Sequence, residues 1–239
     1  YTDDKRPMKI TFNLWDDNYT VNGVKGNLNF DKNDLTENGT TVKMADKLKN
    51  LYVESAGTIY NGDNIRNVIY AWISNAQELN SLQRVAENMN DRDALSYNYV
   101  LKNDIDASGL VDASTYNTIG SGTTAFTGTF DGDGHTIVGL QAKGGIFGQL
   151  GSGAVVKDIN IASSVFTGKE NDASVGAVAA ENYGGKISGI SGYGNTIKGS
   201  GGYIGGLVGK NYGGISNSND HSTVIAGEGT VAGGIAGVN

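Results

Sequence analysis

The feature that most constrains this chain is a repeat with a spacing of 28 or 29 residues. Val175-Gly176-Ala177-Val178-Ala179-Ala180-Glu181-Asn182-Tyr183-Gly184-Gly185 matches Ile204-Gly205-Gly206-Leu207-Val208-Gly209-Lys210-Asn211-Tyr212-Gly213-Gly214 at an offset of 29. A third copy begins at Ala232-Gly233-Gly234-Ile235-Ala236-Gly237-Val238-Asn239, 28 residues on, and a diverged one lies earlier at Gly144-Gly145-Ile146-Phe147-Gly148. Between copies run two more strand-like segments. Ile187 and Ile215 mark the first, and Asn195-Thr196-Ile197 with Thr223-Val224-Ile225 mark the second. Strands this short cannot bury an apolar face alone. Stacked as coils about 4.8 Å apart, they pair every backbone amide with the coil above or below and align their Ile and Val side chains into ladders. The pattern predicts an all-β chain, a right-handed parallel β-helix, built from three short strands per coil.

Glycine supports this reading. Of 37 glycines, five fall in residues 1–100 and 32 in residues 101–239, without the three-residue period of collagen. Gly-rich disorder would show no such apolar period, so the glycines mark corners and close approaches between coils.

Residues 1–70 are Asn- and Asp-rich with strand-like alternation, as in Met8-Lys9-Ile10-Thr11-Phe12 and Gly26-Asn27-Leu28-Asn29-Phe30. They read as irregular coils of the same solenoid or as a flanking β-layer. Residues 71–143 hold one amphipathic helix, expected over 75–89. Ser74 is its expected N-cap with Gln77 completing a capping box, and Ala76, Leu79, Leu82, Val85, Ala86 and Met89 recur at helical spacing. The helix is expected to lie outside the coils and cover their side or end. A polar loop over 107–125 follows, and residues 144–239 carry the regular repeats. A single continuous domain over 1–239 is expected, a monomeric fragment of a larger protein. At about 24–29 residues per coil it would make about eight to ten coils, or roughly 40–50 Å of rise.

Composition removes several function classes. There is no cysteine, hence no disulfide framework, thiolate metal site or cysteine nucleophile. With only His135 and His221, a multi-histidine metal site is not expected. A formal net charge of −7 disfavours nucleic acid and anionic membranes as partners. No apolar run approaches the roughly 18 residues of a membrane span.

Asp131-Gly132-Asp133-Gly134-His135 resembles the start of a calcium loop, but Thr136-Ile137-Val138 follows where further oxygen ligands are needed, and a turn fits better. Paired carboxylates at Asp104 and Asp106 or at Asp131 and Asp133 could suit a polysaccharide-cleaving β-helix. Neither pair lies near a cluster of Arg, Trp and Tyr, so no catalytic residue, metal or cofactor is assigned.

The Gly206-Leu207-Val208-Gly209 core and its near-copies resemble the GLUG repeat. Together with Trp72-Ile73-Ser74-Asn75-Ala76-Gln77-Glu78-Leu79, Leu101-Lys102-Asn103-Asp104-Ile105-Asp106 and Phe126-Thr127-Gly128-Thr129-Phe130-Asp131-Gly132-Asp133-Gly134, it is similar to segments of large bacterial surface proteins. These include two-partner-secretion adhesins of the filamentous-haemagglutinin and high-molecular-weight type, and the likeness spans about residues 70–239. It implies a secreted or cell-surface location, an outer-membrane secretion partner for the parent protein, and adhesion to host-cell surface glycans or glycoproteins, sialylated ones included. On this reading Tyr183 and Tyr212, one coil apart at a corner, form a stacking platform. Asn182 and Asn211 donate hydrogen bonds, and Lys210 meets a sialic acid carboxylate. Tyr193 and Tyr203 are weaker candidates of the same kind. Asn18 and Asn38 begin Asn-x-Thr sequons, and in such adhesins these asparagines can carry hexoses. A non-binding structural stalk and a polysaccharide-active β-helix enzyme are the alternatives.

Overall fold

The computed structural model describes residues 69–88, 95–110, 116–121, 123–168 and 174–239, and the strands Ile10–Asn13, Asn18–Val21, Val24–Asn27, Asp34–Glu37, Thr40–Lys43, Val53–Ser55 and Thr58–Tyr60 before them. The chain forms two compact units. One contains residues 1–72 with 97–100, the other 73–96 with 101–239.

The second unit is a parallel β-solenoid, and the chain as a whole makes about five turns rather than eight to ten. Four ladders of parallel strands define it. The first stacks Thr129–Asp131, Val155–Lys157, Lys186–Ser188 and Gly214–Ser216. The second stacks Ile105–Asp106, Thr136–Val138, Asn160–Ala162, and the opening halves of Ser191–Gly199 and Asn219–Ala226. The closing halves of those two long strands continue a third ladder begun by Gln141–Lys143 and Val165–Thr167. The fourth stacks Phe147–Leu150, Ala179–Asn182, Val208–Asn211 and Ala236–Val238. A further pair, Gly202–Gly205 with Thr230–Gly233, runs ahead of the fourth ladder. The coil thus has more sides than the three strands expected, because Gly206-Leu207 breaks what reads as one motif into two strands.

Side chains alternate along each strand, as a pleat demands. In Lys186–Ser188 only Ile187 is buried. It sits in the inward column Phe130–Val156–Ile187–Ile215. Ile105, Ile137 and Ile161 form a second column, and Ala142, Phe166, Ile197 and Val224 a third. Phe147 meets Phe126 and Phe130 with ring centroids 5.0 and 5.4 Å away.

The corners repeat as strictly as the ladders. Asp158, Gly189 and Asn217 turn the chain between the first and second ladders with φ of 54°, 66° and 46°. Only Gly, Asn and Asp enter this left-handed region at small cost, which explains why those residue types recur there. The paired glycines of the motif have a different cause. An ideal Cβ at Gly205 would lie 2.1 Å from the Val208 carbonyl oxygen, and one at Gly176 would lie 2.5 Å from that of Leu207. Backbones of adjacent sides and coils occupy the space a side chain would need.

Helix α1 spans Ala76–Asn88, close to the expected range. Its cap is shifted by one residue. Asn75 Oδ1, not Ser74, accepts the Glu78 amide at 2.9 Å, and Glu78 reaches back to the Ser74 amide at 2.7 Å. Leu79 and Leu82 are buried. Gln83, also buried, receives the Gly120 amide at 2.8 Å, and Asn80 receives that of Asn117 at 2.7 Å. The helix therefore grips segment 116–121 through side chains that take the place of strand partners.

In the first unit, the described strands over residues 1–60 pair mainly as antiparallel hairpins. Ile10–Asn13, Asn18–Val21 and Val24–Asn27 form a meander, and the first of these also runs parallel to Ile69–Ile73. Asp34–Glu37 pairs with Thr40–Lys43, and Val53–Ser55 with Thr58–Tyr60. These antiparallel pairs differ from the parallel strands of the repeats, as the flanking β-layer alternative allows. Pairing across short loops gave hairpins where the coil reading assumed long-range stacking.

Candidate functional site

The fourth ladder carries the candidate site on its outer surface. Its register sets Glu181 opposite Lys210 and Asn182 opposite Asn211. Pleating sends the charged pair outward and the asparagines inward. Asn182 and Asn211 are 0% and 1% exposed. Asn182 Nδ2 donates to Asn211 Oδ1 at 2.8 Å, and Asn211 Nδ2 donates to Asn239 Oδ1. Each also closes its own turn: Asn182 Oδ1 accepts the Gly185 amide at 2.7 Å, and Asn211 Nδ2 donates to the Gly213 carbonyl at 3.0 Å. The two asparagines expected to face a glycan are thus an internal ladder, and they leave the candidate set.

The next residue in each turn must then point out. Tyr183 and Tyr212 are 45% and 61% exposed. Their amides donate to the Leu150 and Asn182 carbonyls, each at 2.7 Å, so both backbones are fixed to the coil before. Their rings stack with centroids 6.0 Å apart and an interplanar angle of 21°. The Tyr183 hydroxyl donates to Glu181 Oε2 at 2.6 Å. This bond to a carboxylate pushes the phenol up to about 12. Lys210 Nζ lies 3.6 Å from Glu181 Oε1 and 5.2 Å from the centroid of the Tyr203 ring, within cation–π range. Gln149, one coil back in the same outward column, donates to Glu181 at 3.5 Å.

The result is a strip along the solenoid with an ion pair at its centre and tyrosines on either side. Tyr183, Tyr212 and Lys210 fall in it as expected, and Tyr203 joins them. Tyr193 is exposed on the second ladder, between Ala162 and His221 in register. Glu181 was not singled out from the sequence. The offset of 29 that places it across from Lys210 was the signal, since opposite charges facing each other on neighbouring strands attract.

Three of the four acidic residues weighed for hydrolysis accept bonds that hold the backbone. Asp104 accepts the Thr136 amide at 2.9 Å and lies 3.2 Å from His135 Nδ1, and these bonds lower its pKa. Asp106 is lowered too, by the Ser108 hydroxyl and by the Ser108 amide it accepts at 2.9 Å. Asp131, 4% exposed, accepts the Asp133 amide at 2.9 Å and the Lys157 ammonium at 2.7 Å. Among the described residues no group of three or more His, Cys, Asp or Glu side chains is placed to hold a metal ion. Asn18 lies in a strand with Asn27 as its register partner, and Asn38 falls outside the described residues. No helix among the described residues is long and apolar enough to cross a membrane.

Comparison with known proteins adds one relative. Halomucin of Haloquadratum walsbyi is 35% identical over 121 residues, which cover 45% of this chain and 1% of that protein. The chain therefore spans a very small part of the relative it matches. No protein-family model matches the chain, and no solved structure matches it. The solenoid fold and the halomucin match are compatible with a surface protein.

Proposed function

We propose that this chain is a segment of a large secreted or cell-surface protein that engages glycans through the Tyr183–Tyr212 strip. The observation that carries the reading is the exposure of two stacked tyrosines beside Glu181, Lys210 and Gln149. Aromatic rings suit the apolar faces of sugars, and the polar centre suits their hydroxyls. Asn182 and Asn211 are spent on the interior ladder. Lys210 is occupied by Glu181, so a sialic acid carboxylate would have to displace that carboxylate and meet its charge. Neutral hexose-containing glycans fit the strip better than sialylated ones. Single sites of this size bind weakly, and display in many copies would raise the avidity.

The test is a glycan array probed with multivalent chain, wild type beside Tyr212→Ala. Binding to neutral glycans that Tyr212→Ala abolishes supports the reading. Binding confined to sialylated glycans refutes the neutral preference. Silence on every glycan refutes the glycan function and favours a stalk.

A further inference from the structure

The same two tyrosines have a chemical property that does not depend on carbohydrate. We propose that Tyr183 and Tyr212 are an oxidative cross-linking site, at which a haem-peroxidase-type oxidant with hydrogen peroxide joins the two rings and ties adjacent coils covalently. Three features converge. The chain has no cysteine, so no disulfide can link coil to coil. The two residues follow a register-paired position, Asn182 opposite Asn211, and their backbone amides donate hydrogen bonds to carbonyls of the preceding coil. Their rings already meet at 6.0 Å with only 21° between planes, so little freedom remains to be lost on coupling.

A proton acceptor stands beside them. At neutral pH the Tyr183 phenol is protonated, so its oxidation must release a proton, and Glu181 Oε2 is 2.6 Å from the hydroxyl. Lys210 Nζ lies 3.6 Å from the other carboxylate oxygen.

The balance is simple. Each phenol loses one electron and one proton, Tyr183 to Glu181 and Tyr212 to water. The two phenoxyl radicals form one carbon–carbon bond between ring positions ortho to the oxygens. The hydrogens on those carbons then move to the oxygens and restore both hydroxyls. Peroxide takes up the two electrons and two protons and becomes two waters. The pair ends two hydrogens lighter.

Tyr193 is an internal control. It is as exposed as Tyr183, but its register neighbours are Ala162 and His221, with no tyrosine in its column. The experiment treats the folded chain with a haem peroxidase and hydrogen peroxide, then reads dityrosine fluorescence and maps linked peptides by mass spectrometry. The expected product is an intrachain link between the peptides holding Tyr183 and Tyr212, two hydrogens lighter than their sum. It should exceed every link through Tyr193 and disappear in Tyr183→Phe, in Tyr212→Phe and in chain unfolded by urea. Glu181→Gln should slow this link while Tyr193 oxidises at its usual rate. Links through Tyr193 in equal yield, or an undiminished Tyr183–Tyr212 link in urea, would overturn the site. An unchanged rate in Glu181→Gln would overturn the proton-acceptor role.

Discussion

Replacing Asn182 with alanine tests the inner ladder most directly. The side chain makes three hydrogen bonds in a position with no solvent exposure: to the Gly185 amide, to the Gly185 carbonyl and to Asn211 Oδ1. The losses are not equal. The Gly185 carbonyl keeps the Gly214 amide at 3.0 Å, and Asn211 Oδ1 keeps the Gly213 amide at 3.3 Å. Only the Gly185 amide is left buried without a partner, which costs about 1–3 kcal/mol, while the two other bonds are worth about 1 kcal/mol each. The sum, about 3–5 kcal/mol, is a large share of the roughly 5–15 kcal/mol that holds a domain together. Tyr183→Ala, one residue away on the surface, should cost about 1 kcal/mol or less. Urea unfolding followed by far-ultraviolet circular dichroism gives the first comparison. Hydrogen exchange of the amides around 179–190 gives the second, because solenoid coils couple mainly to their neighbours and local opening need not follow the global transition. A loss below about 1 kcal/mol for Asn182→Ala would refute the reasoning, since it would mean that water satisfies the Gly185 amide and the ladder is dispensable.

The glycines of the motif divide by the same kind of argument. Gly205→Ala forces a Cβ to within 2.1 Å of the Val208 carbonyl oxygen and should destabilise by about 1–3 kcal/mol or more, whereas Gly214→Ala meets nothing within 4 Å and should be neutral or slightly stabilising; thermal melts of the two variants check this. Asp220 predicts a pH dependence. It stands in the inward column above Gly192, and burial raises its pKa above the ordinary 3.8 despite the Ser222 hydrogen bonds. A folded-state value above the unfolded one means that the fold binds the proton more tightly, so the penalty from this group is absent below the ordinary value and grows as pH rises toward and through the raised one. Asp220→Asn should therefore be at least as stable as wild type at neutral pH, with the difference vanishing in acid. A variant that loses stability at neutral pH and not in acid would contradict this sign, and urea midpoints across pH for the two chains decide it.

The offsets were legible in the sequence because stacking demands them: Glu181 pairs with Lys210 at 29, and Ile187 with Ile215 at 28, as the repeat requires. The number of sides per coil was not, because a corner such as Gly206-Leu207 carries no charge or proline to mark it. For residues 1–70 both irregular coils and a flanking β-layer stayed open, because alternation alone does not say whether a strand's partner lies one turn away or one coil away. The asparagines were misread for a subtler reason. Residue type suggested an exposed donor, but position argued otherwise. The diverged copy Gly144-Gly145-Ile146-Phe147-Gly148, carried two residues further, reaches Leu150, and Leu150 is the register partner of Asn182. A fully buried leucine in the equivalent place marks the position as inward. An asparagine there must spend its amide on the backbone and on the next asparagine, and the tyrosine after it must face solvent. The exposure of Tyr183 and Tyr212 thus follows from the burial of Asn182 and Asn211, and the candidate site is the outer consequence of the inner ladder.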